Sequence, residues 1–153
     1  MKEKSFASLP VVLVDDEESV LHATAAVLHS AGVANIEMVQ DGRRLLPSLE
    51  RQPASAVLLD LFMPHIMGTK LLPDIVHLYP EVPVIVMTAA QDVETAVRSM
   101  KEGAFDYLVK PVEESRLVAS VRHALEVHSL RRQMGVLKRY LLSDCLQDNE
   151  AFA

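Results

Sequence analysis

The chain has 153 residues, of which 50% are hydrophobic and 24% charged, with a formal net charge of −6. This composition predicts one globular domain rather than a disordered chain, and the lack of a basic block argues against nucleic-acid binding through this segment. A single cysteine, Cys145, excludes an internal disulfide framework and a multi-cysteine zinc site. With no apolar run near the ~20 residues of a membrane span and no signal-like stretch after Met1, we expect a cytoplasmic protein.

Five short apolar runs alternate with longer helical patterns along the chain. Three of these runs are apolar on both faces and rich in β-branched residues, which is typical of central strands in a parallel sheet covered by helices. In chain order the runs are Val11–Val14, Ile36–Val39, Ala56–Leu59, Val84–Met87 and Tyr107–Val109. The alternation predicts an α/β fold with a doubly wound five-stranded parallel sheet.

Between the strands, apolar residues recur with a period near 3.6 and predict four helices. The first helix ends at Gly32 and carries an apolar stripe of Val20, Leu21, Thr24, Val27, Leu28 and Ala31. The second spans Arg43–Glu50 and the third Thr69–Leu78. The fourth ends at Gly103 and is marked by Val93, Ala96, Val97 and Met100.

The helical pattern that starts at Glu113 continues through the last forty residues, with Gly135 as its weak point. Apolar residues at steps of three and four predict a seam for another helix, and hence a homodimer; they are Val127, Leu130, Met134, Leu137 and Leu141. A seam of just over two heptads is marginal by itself, so a frayed tail is the alternative. We therefore divide the chain into a lead (1–8), a domain (9–126) and an extended helix with linker (127–153).

Reactive side chains stand where strands end. Asp15 and Asp16 follow the first strand and Asp60 follows the third, while Thr88 and Lys110 follow the fourth and fifth. Ligands of open α/β sheets bind at the carboxyl ends of the strands, so we expect these side chains to meet. Neighbouring carboxylates repel each other, and Mg²⁺ with its preference for oxygen ligands offsets that repulsion. With a hydroxyl and an ammonium beside them, the set can hold a phosphoryl group on a nucleophilic Asp60.

Each of these residues also has an ordinary structural explanation when taken alone. The acid pair can cap the first helix, Asp60 can belong to a turn, and Thr88 can simply end a strand. No single residue is specific for phosphoryl chemistry, but the ordered set of an acid pair, an acid, a hydroxyl and a lysine, each at the end of a strand, is specific.

The set resembles the receiver domain of bacterial two-component response regulators over roughly residues 9–128. The matching segments are Val11–Glu17, Leu58–Pro64, Val84–Ala89 and Gly103–Pro111. The resemblance implies a flavodoxin-like strand order of 2-1-3-4-5. It also implies that Asp60 is the phosphoacceptor and receives its phosphoryl group from a histidine kinase. It further implies a protein with autophosphatase activity rather than a metabolic enzyme.

The same resemblance implies the roles of the site residues. Mg²⁺ would be bound by Asp15, Asp16, Asp60 and the main-chain carbonyl of Phe62, and the phosphoryl oxygens by Thr88 and Lys110. Thr88 and Tyr107 would form the conformational switch, and the Lys110–Pro111 peptide bond would be cis. One departure is that Ile66 and Met67 precede Gly68 where the family usually has a methionine and a polar residue, which bears on the rate of autodephosphorylation.

Two stretches, Leu130–Gln133 and Leu142–Ala153, resemble the linker of NtrC-type activators of sigma-54 RNA polymerase. That resemblance implies a phosphorylation-controlled dimer, with the ATPase and DNA-binding domains outside this segment, because the chain has no phosphate-binding glycine loop.

A haloacid-dehalogenase-like phosphatase is disfavoured because no DxD follows the first strand. A receiver that has lost phosphoacceptance is disfavoured by the complete set of site residues.

Overall fold

Five strands form one sheet in the computed structural model, which describes the backbone of residues 9–152 and the side chains of residues 9–145. They are β1 Val11–Val14, β2 Ile36–Val39, β3 Ala56–Asp60, β4 Val84–Ala89 and β5 Asp106–Lys110. All neighbours pair in parallel, in the order β2-β1-β3-β4-β5. The predicted doubly wound sheet is confirmed, whereas the predicted lead, residues 1–8, lies outside the described residues.

The central strands are buried on both faces, which explains their continuous apolar runs. Alternate residues of the strands pack into two separate core clusters, one on each face of the sheet. One cluster includes Val12, Val14, Val57, Leu59 and Val86. The other includes Val11, Leu13, Leu58, Ile85 and Leu108.

Five helices cover the sheet within the described residues. They are α1 Glu18–Ser30, α2 Leu45–Arg51, α3 Gly68–Leu78, α4 Val93–Lys101 and α5 Glu114–Phe152. The glycines predicted to end α1 and α4, Gly32 and Gly103, have left-handed φ angles of +97° and +109°. The helix predicted from Arg43 instead starts with a 3₁₀ turn over Gly42–Arg44, because the Asp41 carboxylate accepts from the Arg43 N–H.

The predicted fourth helix is present as α4, but three of the four apolar residues that mark it in the sequence are exposed. Val93, Val97 and Met100 are 44%, 47% and 38% exposed, and the helix is buried through Ala96 and Ser99 instead. Ser99 can face the protein because its hydroxyl donates to the Thr95 carbonyl within the same helix. Hydrophobic periodicity does not distinguish the buried face of α4 from its exposed face, since both faces carry apolar residues.

The predicted C-terminal helix is confirmed and begins one residue later than expected, at Glu114. Its first part packs on the sheet through Leu117, Val121, Ala124 and His128, which are buried. Beyond these residues the helix leaves the domain. Within the described part of the chain, no helix is long and apolar enough to span a membrane.

The seam residues lie mostly on that free portion of α5. Val127 is half-buried, whereas the other four are at least half exposed: Leu130, Met134, Leu137 and Leu141. A long exposed helix is therefore present, and the binding of a second helix to its seam stays a prediction. The side chains of the last linker-like residues, 146–153, lie outside the described residues.

Candidate functional site

Three carboxylates meet at the carboxyl edge of the sheet. Asp15 follows the last residue of β1, Asp16 is next to it, and Asp60 is the last residue of the neighbouring strand β3. One carboxylate oxygen from each residue lies within 4.8 Å of the others. Asp15 and Asp60 are buried and Asp16 is half-buried, so the structure brings the three predicted acids together.

Lys110, at the end of the edge strand β5, forms hydrogen bonds with two of these acids. Its Nζ donates to Asp15 Oδ2 at 2.9 Å and to Asp60 Oδ2 at 3.2 Å. β5 is separated from β3 by β4, a gap of about 10 Å at the usual strand spacing. The side chains of Lys110 and of the acids together span this gap, and the predicted basic residue therefore contacts the predicted acids.

Burial and charge set the protonation of this cluster. Burial raises the pKa of Asp60 above its usual value, although the Lys110 ammonium and the Phe62 N–H oppose that rise. Burial alone would lower the pKa of Lys110, but its hydrogen bond to Asp15 and the charges of both acids raise it. Lys110 therefore stays positively charged and offsets part of the negative charge of the site.

The loop after Asp60 is held against the acceptor by main-chain contacts. The Phe62 N–H donates to Asp60 Oδ1 at 3.2 Å, and the Gly68 N–H donates to the Leu61 carbonyl at 3.0 Å. Between them, His65 adopts a left-handed φ of +71°. The contact from Phe62 uses its N–H, and the role of its carbonyl as a metal ligand stays a prediction.

The predicted switch residues lie beside the acidic cluster. Thr88 is buried in β4, and its hydroxyl makes long contacts to the carbonyls of Ala89 and Asp92, at 3.5 and 3.4 Å. Tyr107 is half-buried on the neighbouring strand β5. The Lys110–Pro111 peptide bond is cis. In this state the Thr88 hydroxyl is therefore engaged at the start of α4 rather than with Asp60.

One contact of the site was not anticipated from the sequence. Gln40, directly after β2, donates from Nε2 to the main-chain carbonyl of Asp16 at 3.1 Å. The Glu17 N–H donates to Asp15 Oδ1 at 2.9 Å and fixes the other end of the same loop. An exposed glutamine after an edge strand has no pattern that marks it, so only the three-dimensional structure reveals this contact.

Comparison with known proteins gives one consistent result. The family described as the response regulator receiver domain matches residues 11–122. A response regulator described as NtrX-like from Rickettsia felis is 37% identical over 134 residues, which is 86% of this chain and 28% of that protein. The transcriptional regulatory protein ZraR of Escherichia coli is 36% identical over 124 residues, 80% of this chain and 28% of that protein.

Solved structures give the same result. The receiver domain of NtrX from Brucella abortus matches with a TM-score of 0.72 at 29% identity, over 76% of this chain and 98% of that one. The chain spans less than a third of the length of the NtrX-like protein and of ZraR.

Proposed function

This chain belongs to the response regulator receiver domain family, and on that basis we propose that it accepts a phosphoryl group on Asp60 from a sensor histidine kinase. The observation that carries the proposal is the contact of one ammonium, Lys110 Nζ, with both Asp15 and Asp60 at the point where three carboxylates meet. Acids without a ligand would repel each other there. With a divalent cation bound among the carboxylates, the cation and Lys110 would together balance the charge of a dianionic phosphoryl group.

The transfer is a displacement at phosphorus. A carboxylate oxygen of Asp60 attacks the phosphoryl group of a phosphohistidine, so that a P–O bond forms as the P–N bond breaks. The electron pair of the broken bond stays on the imidazole, which takes up a proton. Water later attacks the acyl phosphate, releases inorganic phosphate and restores the Asp60 carboxylate, which is the proposed autophosphatase activity. Lys110 donates to the phosphoryl oxygens and holds them in place.

The acidic cluster fits a divalent cation, because its carboxylate oxygens lie within 4.8 Å of one another. We assign Mg²⁺ to Asp15, Asp16, Asp60 and the main-chain carbonyl of Phe62. When bound, this ion supplies positive charge to the phosphoryl oxygens. The Gln40 and Glu17 contacts hold the loop that carries Asp15 and Asp16.

Phosphorylation becomes a signal when the Thr88 hydroxyl changes its hydrogen-bond acceptor. Its contacts to Ala89 and Asp92 are long and weak, so a phosphoryl oxygen on Asp60 is the better acceptor. A turn of Thr88 toward Asp60 releases the start of α4 and leaves space that Tyr107 fills from β5. Phosphorylation shifts this equilibrium only by its differential interaction with the two states.

We extend the proposal to an NtrC-type context, supported by the linker-like sequence and by relatives that include a transcriptional regulatory protein. Residues 9–126 form the receiver, and residues 127–153 connect it to the output domains of a sigma-54 activator. Phosphorylation controls a homodimer through the α5 seam, while DNA binding belongs to the output domains. The phosphorelay operates in the cytoplasm.

The experiment that tests the acceptor is labelling with acetyl phosphate and Mg²⁺. Wild type incorporates up to one phosphate per chain, and Asp60→Asn incorporates none, because an amide oxygen is too weak a nucleophile. Asp74→Asn is the matched control, since Asp74 is an exposed aspartate on α3 and its variant keeps wild-type labelling. Stoichiometric labelling of the Asp60→Asn variant would contradict the assignment.

A further inference from the structure

An apolar groove lies between α5 and the amino-terminal edge of the sheet, at the opposite ends of the strands from Asp60. Its volume is about 860 Å³. Leu9, Val11 and Val33 line the side formed by the domain, and Val136, Leu137 and Tyr140 line the side formed by α5. The groove therefore runs along the part of the helix that leaves the domain.

The free part of α5 has an apolar surface wider than the predicted seam. At about 100° per residue, Leu137 lies in the middle of an arc with Val136 and Tyr140 on one side and Leu130 and Leu141 on the other. All five side chains are at least half exposed. The arc spans about 140° by this spacing, whereas a two-stranded coiled coil uses a narrower stripe.

Three of the four basic residues of this segment lie off the arc, and the fourth, Arg132, lines the groove one turn before Val136. Arg131, Lys138 and Arg139 project from the opposite side of the helix, by the same 100° spacing. The arc and the groove therefore form one continuous, mostly apolar surface, because Val136, Leu137 and Tyr140 belong to both.

We propose that α5 of a second copy of this chain occupies the groove, so that the dimer contact extends from the seam to the amino-terminal edge of the sheet. This inference rests on the seam dimer of the proposed function and adds the residues that complete its interface. A specific interface usually takes about 20–30 residues a side, and a seam of five apolar residues is well short of that. The groove supplies the missing surface next to the seam, and an identical helix presents the matching apolar arc.

The outward positions of a two-stranded seam provide a sharp test. If the heptad starts at Val127, both Val136 and Leu142 face away from the partner helix. They are similarly exposed, at 58% and 62%, but only Val136 lines the groove. Val136→Lys is therefore the test variant and Leu142→Lys its matched control. Ala34→Lys tests the domain side, because Ala34 is exposed and lines the same groove.

Sedimentation equilibrium of the full chain measures the dimer dissociation constant of each variant, and Leu130→Lys serves as the seam variant. We expect Val136→Lys and Ala34→Lys each to raise the constant by about tenfold or more, from the loss of one buried apolar contact, and Leu142→Lys to leave it within about twofold. Thermal unfolding of each variant at dilution checks that the domain remains folded.

The outcomes separate this inference from the proposed function. If Leu130→Lys weakens the dimer but Val136→Lys and Ala34→Lys match the control, the seam stands and the groove contact is overturned. A wild-type chain that stays monomeric, and that loses thermal stability in Val136→Lys, would indicate an occupant from the same chain and also overturn it. Acetyl phosphate labelling of the same variants tests Asp60 independently.

Discussion

Gly68 fixes the distance between the acceptor and the loop that follows it. A Cβ at this position would collide with the carbonyl oxygen of Asp60 and lie 2.8 Å from Cα of Leu61. Both obstacles are main-chain atoms of the segment that carries the acceptor, and they cannot move without moving it. The glycine is thus required for close approach of α3 to β3.

We expect Gly68→Ala to lower the free energy of unfolding by about 1–3 kcal/mol, the usual cost of overpacking, and to slow acetyl phosphate labelling. Urea unfolding and labelling rates measure the two effects. Gly135→Ala is the control, because nothing lies within 4 Å of a Cβ built at that position on α5. Equal behaviour of the two variants would show that the contact at Gly68 does not position Asp60.

Thr88→Ala separates phosphoacceptance from the response to it. The variant retains Asp60, Lys110 and the acidic pair, so we expect labelling to persist at reduced rate. It lacks the hydroxyl that turns toward the phosphoryl group, so the phosphate-dependent shift in sedimentation becomes smaller. Thr88→Ser, which keeps the hydroxyl, restores the shift. A full shift in Thr88→Ala would refute the relay from Asp60 to α4.

The acidic cluster was predictable because the ends of the strands can be recognised in the sequence, and parallel strands place their carboxyl ends at one edge of the sheet. Asp15, Asp60 and Lys110 meet for that reason alone. The contact from Gln40 to the Asp16 carbonyl was not predictable, since it depends on how the loop after β2 is placed. The sequence likewise showed Ile66 only as a departure, and the structure shows it half-buried against the core.

At the level of elements, the strands were easier to predict than the buried faces of the helices. A strand covered on both sides must be apolar at every position, and the runs in β1 and β3 satisfy that condition unambiguously. A helix buries only one face, and α4 carries apolar residues on two. Ala96 and Ser99 form the covered face because small side chains allow close packing, a preference that hydrophobic periodicity does not register.

The attachment of α5 to β5 includes a hydrogen-bonded ion pair. The two terminal nitrogens of Arg116, Nη1 and Nη2, donate to Asp106 at 2.9 and 3.0 Å, and the Ser120 hydroxyl donates to the same carboxylate at 2.7 Å. Burial alone would raise the pKa of Asp106, but the hydrogen bonds from Arg116 and Ser120 outweigh it and lower the pKa. The charged carboxylate therefore stabilises the folded state.

The sign of the pH dependence follows from that lowered pKa. The contribution of Asp106 is complete above the unfolded pKa of about 3.9 and is lost as pH falls through the lower folded value. We expect Asp106→Asn to be less stable than wild type in urea at pH 7, with the difference shrinking below pH 4. Asp74→Asn serves as the exposed control. A difference that stays constant down to pH 2 would exclude a role of the Asp106 charge.

At the scale of the whole molecule, the two proposed activities occupy opposite ends of the strands. The acidic cluster lies at the carboxyl edge, and the groove beside α5 lies at the amino edge. α5 is the element that connects them, because it contacts β5 through Arg116 near its start and borders the groove from Leu125 onward. A change in β5 and α4 on phosphorylation can therefore alter the direction in which the free part of α5 leaves the domain.

This arrangement predicts that the receiver and the free helix are energetically separable. Among the side chains of α5 that the structure describes, a chain that ends at residue 129 retains every buried one, with His128 the last, and removes only partly or fully exposed ones between residues 130 and 145. We expect its free energy of unfolding, measured in urea at a concentration where wild type is monomeric, to stay within about 1 kcal/mol of wild type, as for surface changes. Labelling of Asp60 would persist, while the dimer seen by sedimentation would be lost. A larger loss of stability would mean that the distal helix packs on its own domain, and retained dimerisation would assign the dimer contact to another face, such as the exposed side of α4.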